Sequence, residues 1–572
     1  MSKTVADIMV ETLRAAGARR CYGVPGDTLN YFTDALRRSD LRWVHVRHEE
    51  AGAMAAGADA LLTGELALCA GSCGPGSLHF INGVWESNRN RAPVVLIASQ
   101  VTRDELGFDF PQEVDFKAVY SAGTVFCQEI RTPAQARRMT AMAAQAALVK
   151  KGVAVLIVPV DISSADAPDE PDFAVHRARP VIRPSEAELD DMARLLNAGT
   201  KVAIYGGSGC ENAHDQVVAL AERLKAPVAR TSRAKDFLEH DNPYDVGMTG
   251  IFGTAGGYRA LMDCDTLLLL GCDFAWRQFY PSKARIIQLD IDGAHLGRRH
   301  PVDVGVVGDV KATLEALLPR LEPRDDRRFL DAALAQAGKA EAKLEKRAKG
   351  ANNVTTIHPQ YLTEVVARHA ATDAVYTADG GSPMVWCLRH VPSTGQNRTV
   401  VSLSHGTMAN AMPQALGAQA AFPGRQVISL SGDGGLTMLM GDLLTAVQEN
   451  LPIKVAVFNN GSLGFVEIEQ KVEGLLDTYT DLKNPDFARV AAAMGLWGRR
   501  VEQPEELERA VRDWLDAPGP ALLDVVTDRY ELVIPPKVAP AQVMGTALYS
   551  AKGILAGRAD EVFSLIEGAV KP

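Results

Sequence analysis

The 572-residue sequence predicts an α/β protein of three consecutive doubly wound parallel-sheet domains, followed by a short C-terminal helical tail. Short apolar runs alternate with helical stretches along almost the whole chain, and continuous apolar strands between helices are typical of parallel sheets covered on both faces. Polar or highly charged stretches at 168–184 and 339–353 separate the strands into three blocks, and the strand pattern stops after Pro536. We therefore predict domains at 1–180, 181–335 and 336–530, and a tail at 531–572.

Each block contains its own set of predicted strands. They lie at 21–24, 43–46, 66–69, 94–97 and 153–158 in the first block, at 202–205, 267–270 and 286–289 in the second, and at 375–377, 400–403, 427–430, 455–458 and 522–526 in the third. Ligands of doubly wound folds bind beyond the carboxyl ends of the strands. Glycine-rich or polar turns follow four of these strands, at 71–76, 206–209, 432–435 and 459–462.

The composition argues against several classes of function. The chain is 47% hydrophobic and 23% charged, as expected of a globular protein, and its net charge of -10 argues against a nucleic-acid-binding surface. No apolar run reaches the length of a membrane span, and Asp7 and Glu11 interrupt what would be the apolar part of a secretory signal. Eight scattered cysteines without a CxxC pair predict free thiols in a reducing cytoplasm.

A predicted βαβ unit surrounds Asp433, which lies between glycines directly after the strand at 427–430. A helix predicted at 436–450 leads to the return strand at 453–458, so Asp433 and Asn460 should emerge at one sheet edge, on strands about 4.8 Å apart. A carboxylate and an amide oxygen suit Mg²⁺, and the helix N-terminus suits an anion. The sequence predicts a Mg²⁺-diphosphate site here; the alternative is two unrelated turns.

The motif Gly432-Asp433-Gly434, followed by Asn459-Asn460, resembles the fingerprint of thiamine diphosphate enzymes. The resemblance implies that Mg²⁺ is bound by Asp433, Asn460 and the backbone carbonyl of Ser462. It also implies a set of further residues that contact thiamine diphosphate, which are Gly406, Thr407, Met408, Gly434, Gly435, Gly461, Leu463, Gly464 and Phe465.

Two more stretches support this resemblance. The segment RHEEAGAMAAGADALLTG, at 47–64, is similar to the family's glutamate motif and selects Glu49, rather than Glu50, as the carboxylate on the aminopyrimidine ring. Gly406-Thr407-Met408 matches the position where an apolar residue wedges beneath the thiazolium ring. The alternatives are a surface charge cluster opening a helix and a methionine that fills the core.

Over essentially its whole length the chain resembles the quinone-dependent pyruvate dehydrogenases, also called pyruvate oxidases. The stretches that carry the resemblance include CAGSCGPGSLHFINGVWES, HDNPYDVGMTGIFG and FNNGSLGFV. It implies FAD in the middle block, although no GxGxxG follows a strand there. The residues implied to contact FAD are Ile251, Phe252, Gly253, Thr254, Phe274, Ala275, Trp276, Arg277, Gln278 and Asp292. Phe465 matches a residue that enters the active site on activation and is therefore also a catalytic candidate.

The implied reaction is oxidative decarboxylation of pyruvate to acetate and CO2, with electrons passing through FAD to a membrane quinone. The implied location is cytoplasmic, peripheral on the inner face of the cell membrane. A homotetramer, or at least a dimer, is implied because the glutamate domain of one subunit meets the metal domain of another. One departure concerns the substrate pocket, where Pro111 replaces the family's aromatic residue, so the preference for pyruvate over larger 2-oxo acids stays open.

Three other functions compete with this one. A non-redox carboligase of the acetolactate synthase type shares the thiamine motifs and holds FAD structurally. A phosphate-dependent oxidase uses oxygen and makes acetyl phosphate. A catalytically silent nucleotide-binding or scaffold protein is a third alternative, against which the presence of both Glu49 and Asp433 argues.

The tail is expected to contact the lipid bilayer surface. At helical spacing from 560 onward, one face carries Val562, Phe563, Ile566, Ala569 and Val570, with Leu565 beside it. Residues 558–572 carry two cations and three anions, so anionic lipid cannot attract them and attachment must rest on apolar burial. The alternative is a helix packed on its own subunit.

Overall fold

The computed structural model describes residues 3–168, 171–348, 356–531, 540–556, 558 and 562. Within these residues eighteen strands form three six-stranded sheets, and every strand pairing is parallel. Helices flank each sheet. The predicted fold class is confirmed.

The strands fall into three groups of six along the chain. They are β1 Arg20–Val24, β2 Arg42–His45, β3 Ala67–Gly71, β4 Val94–Gln100, β5 Phe126–Glu129 and β6 Val153–Pro159; β7 Val202–Gly206, β8 Val228–Arg230, β9 Asp245–Met248, β10 Thr266–Leu270, β11 Arg285–Asp290 and β12 Val304–Val307; and β13 Val375–Ala378, β14 Arg398–Val401, β15 Val427–Gly432, β16 Lys454–Asn459, β17 Trp497–Val501 and β18 Ala521–Val526.

The helices connect these strands and extend beyond the last of them. They are α1 Val5–Ala15, α2 Asn30–Arg37, α3 Glu49–Thr63, α4 Pro75–Leu78, α5 Ile81–Arg89, α6 Phe116–Tyr120, α7 Ala136–Lys150, α8 Val160–Ser164, α9 Glu186–Ala198, α10 His214–Leu224, α11 Lys235–Leu238, α12 Ala255–Asp263, α13 Val310–Leu317, α14 Arg328–Ala348, α15 Pro359–His369, α16 Ser382–His390, α17 Ala411–Ala421, α18 Asp433–Leu439, α19 Leu443–Gln448, α20 Gly464–Val472, α21 Phe487–Ala493, α22 Pro504–Asp516 and α23 Pro540–Leu555.

The first and third sheets share one topology, and the middle sheet has another. The orders β2-β1-β3-β4-β6-β5 and β14-β13-β15-β16-β18-β17 are the same when each group is counted from its first strand. The middle sheet, β12-β11-β10-β7-β8-β9, reads 3-2-1-4-5-6 from its other edge, which is the order of dinucleotide-binding sheets. Its switch point, where such sheets bind ligands, lies between β7 and β10.

Five strands, β5, β8, β9, β12 and β17, were not among those predicted. Four of them form sheet edges, and β8 is three residues long beside an edge. The edge strands are only partly buried, so their sequences do not form continuous apolar runs. All three sheets lie inside the predicted domain ranges, whose exact boundaries remain predictions.

The first and third domains pack directly on each other through α3 and α17. Both helices are rich in buried alanine, and their side chains belong to one hydrophobic cluster. A Cβ on Gly417 would lie 2.0 Å from the carbonyl oxygen of Ala55, so only glycine permits this approach. The helix that starts at Glu49 is therefore locked against the helix that follows the Gly406–Met408 loop.

The C-terminal segment is described only in part. Helix α23 lies inside the predicted helical tail but before the helix predicted from 560 onward. It packs on α20, and Val562 is buried with Tyr549 beside Leu476. The other residues of the predicted apolar tail face, Phe563, Leu565, Ile566, Ala569 and Val570, lie outside the described residues. Across the part of the chain that the structure describes, none of the helices combines the length and apolar character of a membrane span.

Candidate active site

The metal loop comprises residues 432–435 and 459–462, which carry the predicted metal ligands. These residues lie at the ends of β15 and β16, as the sequence predicted. Strands β15 and β16 are neighbours with Gly432 opposite Phe458, so Asp433 and Asn460 leave the sheet at one edge. The following helix differs from the prediction: it starts at Asp433 rather than at 436 and is interrupted before α19. This start puts the Asp433 carboxylate in the first helical turn, where free backbone N–H groups are available to bind an anion.

Asp433 is 3% exposed, and its carboxylate is held by three donors. Oδ1 accepts from the Gly434 N–H at 2.8 Å, while Oδ2 accepts from the Gly461 N–H at 2.8 Å and from Asn484 Nδ2 at 2.8 Å. Burial raises the pKa of the Asp433 carboxyl group, and these hydrogen bonds oppose that rise. A divalent cation at this position would favour the ionised form further.

The other two predicted metal ligands lie in the turn after β16. Asn460 Oδ1 accepts from the Ser462 N–H at 3.1 Å, and the Ser462 hydroxyl donates to Glu467 at 2.5 Å. Within the described ranges, no group of three or more His, Cys, Asp or Glu side chains is arranged to hold a metal. One carboxylate, one amide oxygen and one carbonyl oxygen instead fit Mg²⁺, which fills its shell with water and phosphate oxygens.

Asn484 is a site residue that the sequence analysis missed. Its amide donates both to Asp433 and, at 3.0 Å, to Asn459 Oδ1. Asn459 in turn donates to the fully buried Asp524 at 2.9 Å. Because Asn484 follows Asn460 by 24 residues in an irregular loop, no sequence periodicity marks it.

A pocket opens beside the metal loop, and all of its lining residues lie between 359 and 531. It is lined by Met408, Gly434, Gly435, Asn460, Ser462, Leu463, Gly464 and Phe465, which the resemblance implies to contact thiamine diphosphate or the metal. Asp379 lies in the same wall, and its carboxylate accepts from the N–H groups of Ala411 at 2.9 Å and Gly432 at 3.0 Å. Burial raises the pKa of Asp379 to about 7. Gly406 and Thr407 precede Met408 in the loop, with Gly406 at φ 75°.

Glu49 is the first residue of α3 and is 8% exposed. Its side chain contacts other residues of its own, first domain. Its Oε2 lies 3.0 Å from His79 Nδ1, and the His79 ring stacks on His48 at 4.7 Å. Glu50 points elsewhere, because its Oε1 accepts from Asn82, which also donates to Thr407. Glu49 does not line the pocket at the metal loop. His79 was missed, since a lone histidine in the quoted stretch carries no spacing signal.

The predicted flavin residues all lie beyond the carboxyl ends of the middle sheet. Ile251 to Thr254 follow β9, Phe274 to Gln278 follow β10, and Asp292 follows β11. Near the switch point the turns after β7 and β10 touch, since a Cβ on Gly271 would lie 2.5 Å from the Gly209 Cα. The Phe274 ring packs against Tyr205 at 5.4 Å and Trp276 at 5.3 Å.

This edge fits a dinucleotide in three ways. Thr254 stands at the N-cap position of α12 without a side-chain capping hydrogen bond, so that helix offers free N–H groups to a phosphate. Ala275, Arg277 and Gln278 are exposed beside the aromatic cluster. Asp292 accepts from the Ala294 N–H at 2.9 Å, yet its side chain is 57% exposed and open to a hydroxyl donor.

The turn after β9 is tied to the third domain. Arg389, near the end of α16, donates to the carbonyl oxygens of Phe252 at 2.9 Å and Gly253 at 3.2 Å. Ser382 and Pro383, at the start of the same helix, line the pocket beside the metal loop. The helix has nine residues, so the predicted flavin turn and the metal pocket are joined by a rigid element about 13 Å long.

Pro111 lies in an exposed loop of the first domain. Glu113 closes this loop by accepting from the N–H groups of Gly107 at 2.7 Å and Phe110 at 3.2 Å. Phe110 is 42% exposed and points its apolar surface outward in a single chain. Gln112 Oε1 lies 3.2 Å from Cys73 Sγ, which places the loop against the turn after β3.

Comparison with known proteins identifies the class. Residues 3–119 match the N-terminal TPP binding domain of thiamine pyrophosphate enzymes, residues 189–317 their central domain, and residues 379–525 their C-terminal TPP binding domain. The chain belongs to the thiamine pyrophosphate enzyme family.

Three relatives illustrate its range. The protein YdaP of Bacillus subtilis is 35% identical over 98% of each chain. The pyruvate oxidase of Lactiplantibacillus plantarum is 30% identical over 87% of this chain and 84% of its own. The acetolactate synthase isozyme 2 large subunit of Escherichia coli is 30% identical over 94% of this chain and 99% of its own. Relatives with an oxidase and a synthase name are thus equally similar.

Proposed function

We propose that this enzyme oxidatively decarboxylates pyruvate to acetate and CO2, using thiamine diphosphate, Mg²⁺ and FAD, and passes the electrons to a membrane quinone. The observation that carries the proposal is the α16 connection between the predicted flavin turn and the metal pocket. It gives two cofactors a fixed separation. Pyruvate and water yield acetate, CO2, two protons and two electrons. One FAD accepts both electrons.

Each residue set has a defined task in this proposal. Bound thiamine diphosphate supplies the nucleophilic carbon and the electron sink. Asp433, Asn460 and the Ser462 carbonyl hold Mg²⁺ and so position the diphosphate. Glu49, which is buried and lies 3.0 Å from His79, would exchange a proton with the pyrimidine ring. Met408, which lines the pocket, would support the thiazolium ring.

The proposal requires a second copy of the chain, because Glu49 and the metal pocket form separate half-sites within one chain. Exposed apolar side chains flank both halves: Leu78 and Ile81 lie beside His79, and Met438 and Val466 lie beside the metal loop. Two such chains related by a twofold axis bring each glutamate half onto the partner's metal half. We propose a dimer of this kind as the building block of a homotetramer.

The flavin spectrum separates this function from acetolactate synthesis. That reaction is the alternative because one of the relatives is named an acetolactate synthase. Adding pyruvate to the purified holoenzyme under nitrogen is expected to bleach the flavin absorbance, since electrons leave the substrate only in the oxidative reaction. A flavin that stays oxidised while acetolactate accumulates would establish the synthase instead. Acetyl phosphate formed only with phosphate and oxygen would establish the phosphate-dependent oxidase.

The C-terminal segment is proposed to bind the bilayer surface reversibly. Met544, Leu548, Ile554 and Leu555 are 50% or more exposed and share one face of α23, and Lys552 is the one charged residue between 540 and 555. The other face holds buried Tyr549 against α20, which begins at pocket residues Gly464 and Phe465. Release of this segment by the substrate-reduced enzyme would bring the flavin near a quinone.

Truncation after Gly557 is expected to weaken pyruvate-dependent liposome binding and quinone reduction in membranes strongly, because it removes the predicted apolar face at 562–570 and the Arg558 contact with Asp477 and leaves only the exposed face of α23. Reduction of a small soluble dye should persist. Flotation with neutral liposomes, with and without pyruvate, measures the binding. A truncated enzyme that floats with pyruvate as well as the full chain does would refute the role of the residues after 557, and binding of the full chain that collapses at moderate salt would refute attachment through apolar burial.

A further inference from the structure

We infer that Asp442 is a positioning residue for Glu49, an inference that rests on the proposed role of Glu49. Asp442 is fully buried at the turn between α18 and α19, in the third domain. Its Oδ1 accepts from the backbone N–H of Arg47 at 2.7 Å. Arg47 lies two residues before Glu49, in the connection from β2 to α3. The contact therefore fixes the backbone that aims the Glu49 side chain.

Neighbouring contacts keep Asp442 in this orientation. The Thr445 hydroxyl donates to Asp442 Oδ1 at 2.9 Å and lies 3.2 Å from the His45 carbonyl oxygen. Gln448 holds the side chain of Arg47 at 2.6 Å. A buried carboxylate is a stronger acceptor for a backbone N–H than a neutral oxygen is. Asp442 is therefore expected to hold the Arg47 backbone more firmly than Gln448 holds the Arg47 side chain.

The position of Asp442 along the chain links the two halves of the active site. Residues 433–442 begin with the predicted metal ligand and end with the carboxylate that holds the Glu49 connection. In the proposed dimer, Asp433 serves the cofactor in its own chain's metal pocket, while Glu49 serves the cofactor of the partner. One short segment of each subunit thus contacts the machinery of both active sites.

Glu449 provides a matched control. Its Oε1 accepts from the His45 backbone N–H at 3.1 Å, and its Oε2 pairs with Arg42 at 3.1 Å. It therefore also holds a backbone N–H with a carboxylate, but at the end of β2, four residues before Glu49. A loss of domain packing alone should affect both sites alike, whereas a positioning role should affect only Asp442.

The test is the rate of deuterium exchange at C2 of bound thiamine diphosphate, with kcat, KM for pyruvate and cofactor affinity measured alongside. Asp442→Ala is expected to slow exchange and kcat by about tenfold to 100-fold, as small misplacements of a catalytic group do, with KM and cofactor affinity nearly unchanged. Glu449→Ala should change exchange by less than about twofold. Asp442→Asn, which retains an acceptor oxygen, should recover part of the rate.

Exchange at the wild-type rate in Asp442→Ala overturns the proposal, and so does an equal loss in Glu449→Ala. If Asp442→Ala does not fold, Asp442→Asn decides the matter: slowed exchange with unchanged KM supports the positioning role, and wild-type exchange refutes it. Glu49→Gln is measured in parallel. Wild-type exchange in that variant removes the catalytic role of Glu49 itself, which separates that failure from one confined to Asp442.

Discussion

Glu49→Gln is expected to lower the rate of pyruvate oxidation by about 100-fold or more while thiamine diphosphate remains bound, because a positioned acid-base group contributes at least that much. The amide keeps the size of the side chain but cannot exchange a proton with the pyrimidine ring. Glu49 is buried and contacts His79 rather than any metal-loop residue, so cofactor affinity should be preserved. Dye-linked turnover and calorimetric titration of the cofactor measure the two quantities.

Glu50→Gln is the matched control for this prediction. Glu50 is the neighbouring residue, but its carboxylate accepts from Asn82 at 2.6 Å within the contact between the first and third domains. The variant should retain most of the turnover rate. If Glu49→Gln kept more than about a tenth of the wild-type rate, its acid-base role would be excluded.

Asp433→Ala is expected to weaken Mg²⁺-dependent binding of thiamine diphosphate by about 100-fold or more, since even residues that merely orient a metal ligand are worth about tenfold to 100-fold. Asp433 supplies the one side-chain charge among the three predicted ligands. The loss should also free the Asn484 amide and the Gly461 N–H, both of which now donate to Asp433. Calorimetric titration with and without Mg²⁺ measures the effect.

Asp513→Ala serves as the control, because Asp513 is a half-exposed carboxylate of the same domain that pairs with Arg499. Its removal should leave cofactor affinity unchanged. Equal affinities for wild-type enzyme and Asp433→Ala would show that the metal is bound elsewhere.

The sequence predicted the parts of this molecule that depend on local pattern. Central strands such as β15 and β16 are continuous apolar runs, so their adjacency, and with it the meeting of Asp433 and Asn460, could be predicted. Edge strands such as β17 are only partly buried and contain no continuous apolar run, so they were missed. Local pattern also does not reveal that α18 begins at Asp433, earlier than predicted. The start of this helix depends on the conformation of the loop before it and not on the helix preference of its residues.

The partners of the predicted site residues were less accessible to sequence reasoning. Asn484, His79 and Asp442 reach the site from distant positions, and each is a single polar residue without a repeating pattern. The contacts they make depend on how loops and domains pack. The separation of Glu49 from the metal pocket within one chain was implied by the family resemblance, and no local sequence pattern carries it.

In the proposed reaction, electrons from pyruvate reach a flavin, and a single-turnover measurement detects this transfer without any other acceptor. Holoenzyme is mixed with excess pyruvate under nitrogen without an electron acceptor, and reduced flavin and acetate are quantified together. We expect one acetate and one CO2 for each flavin reduced, with no further turnover until a quinone or dye is added. Continued CO2 release with an oxidised flavin and accumulating acetolactate would contradict it.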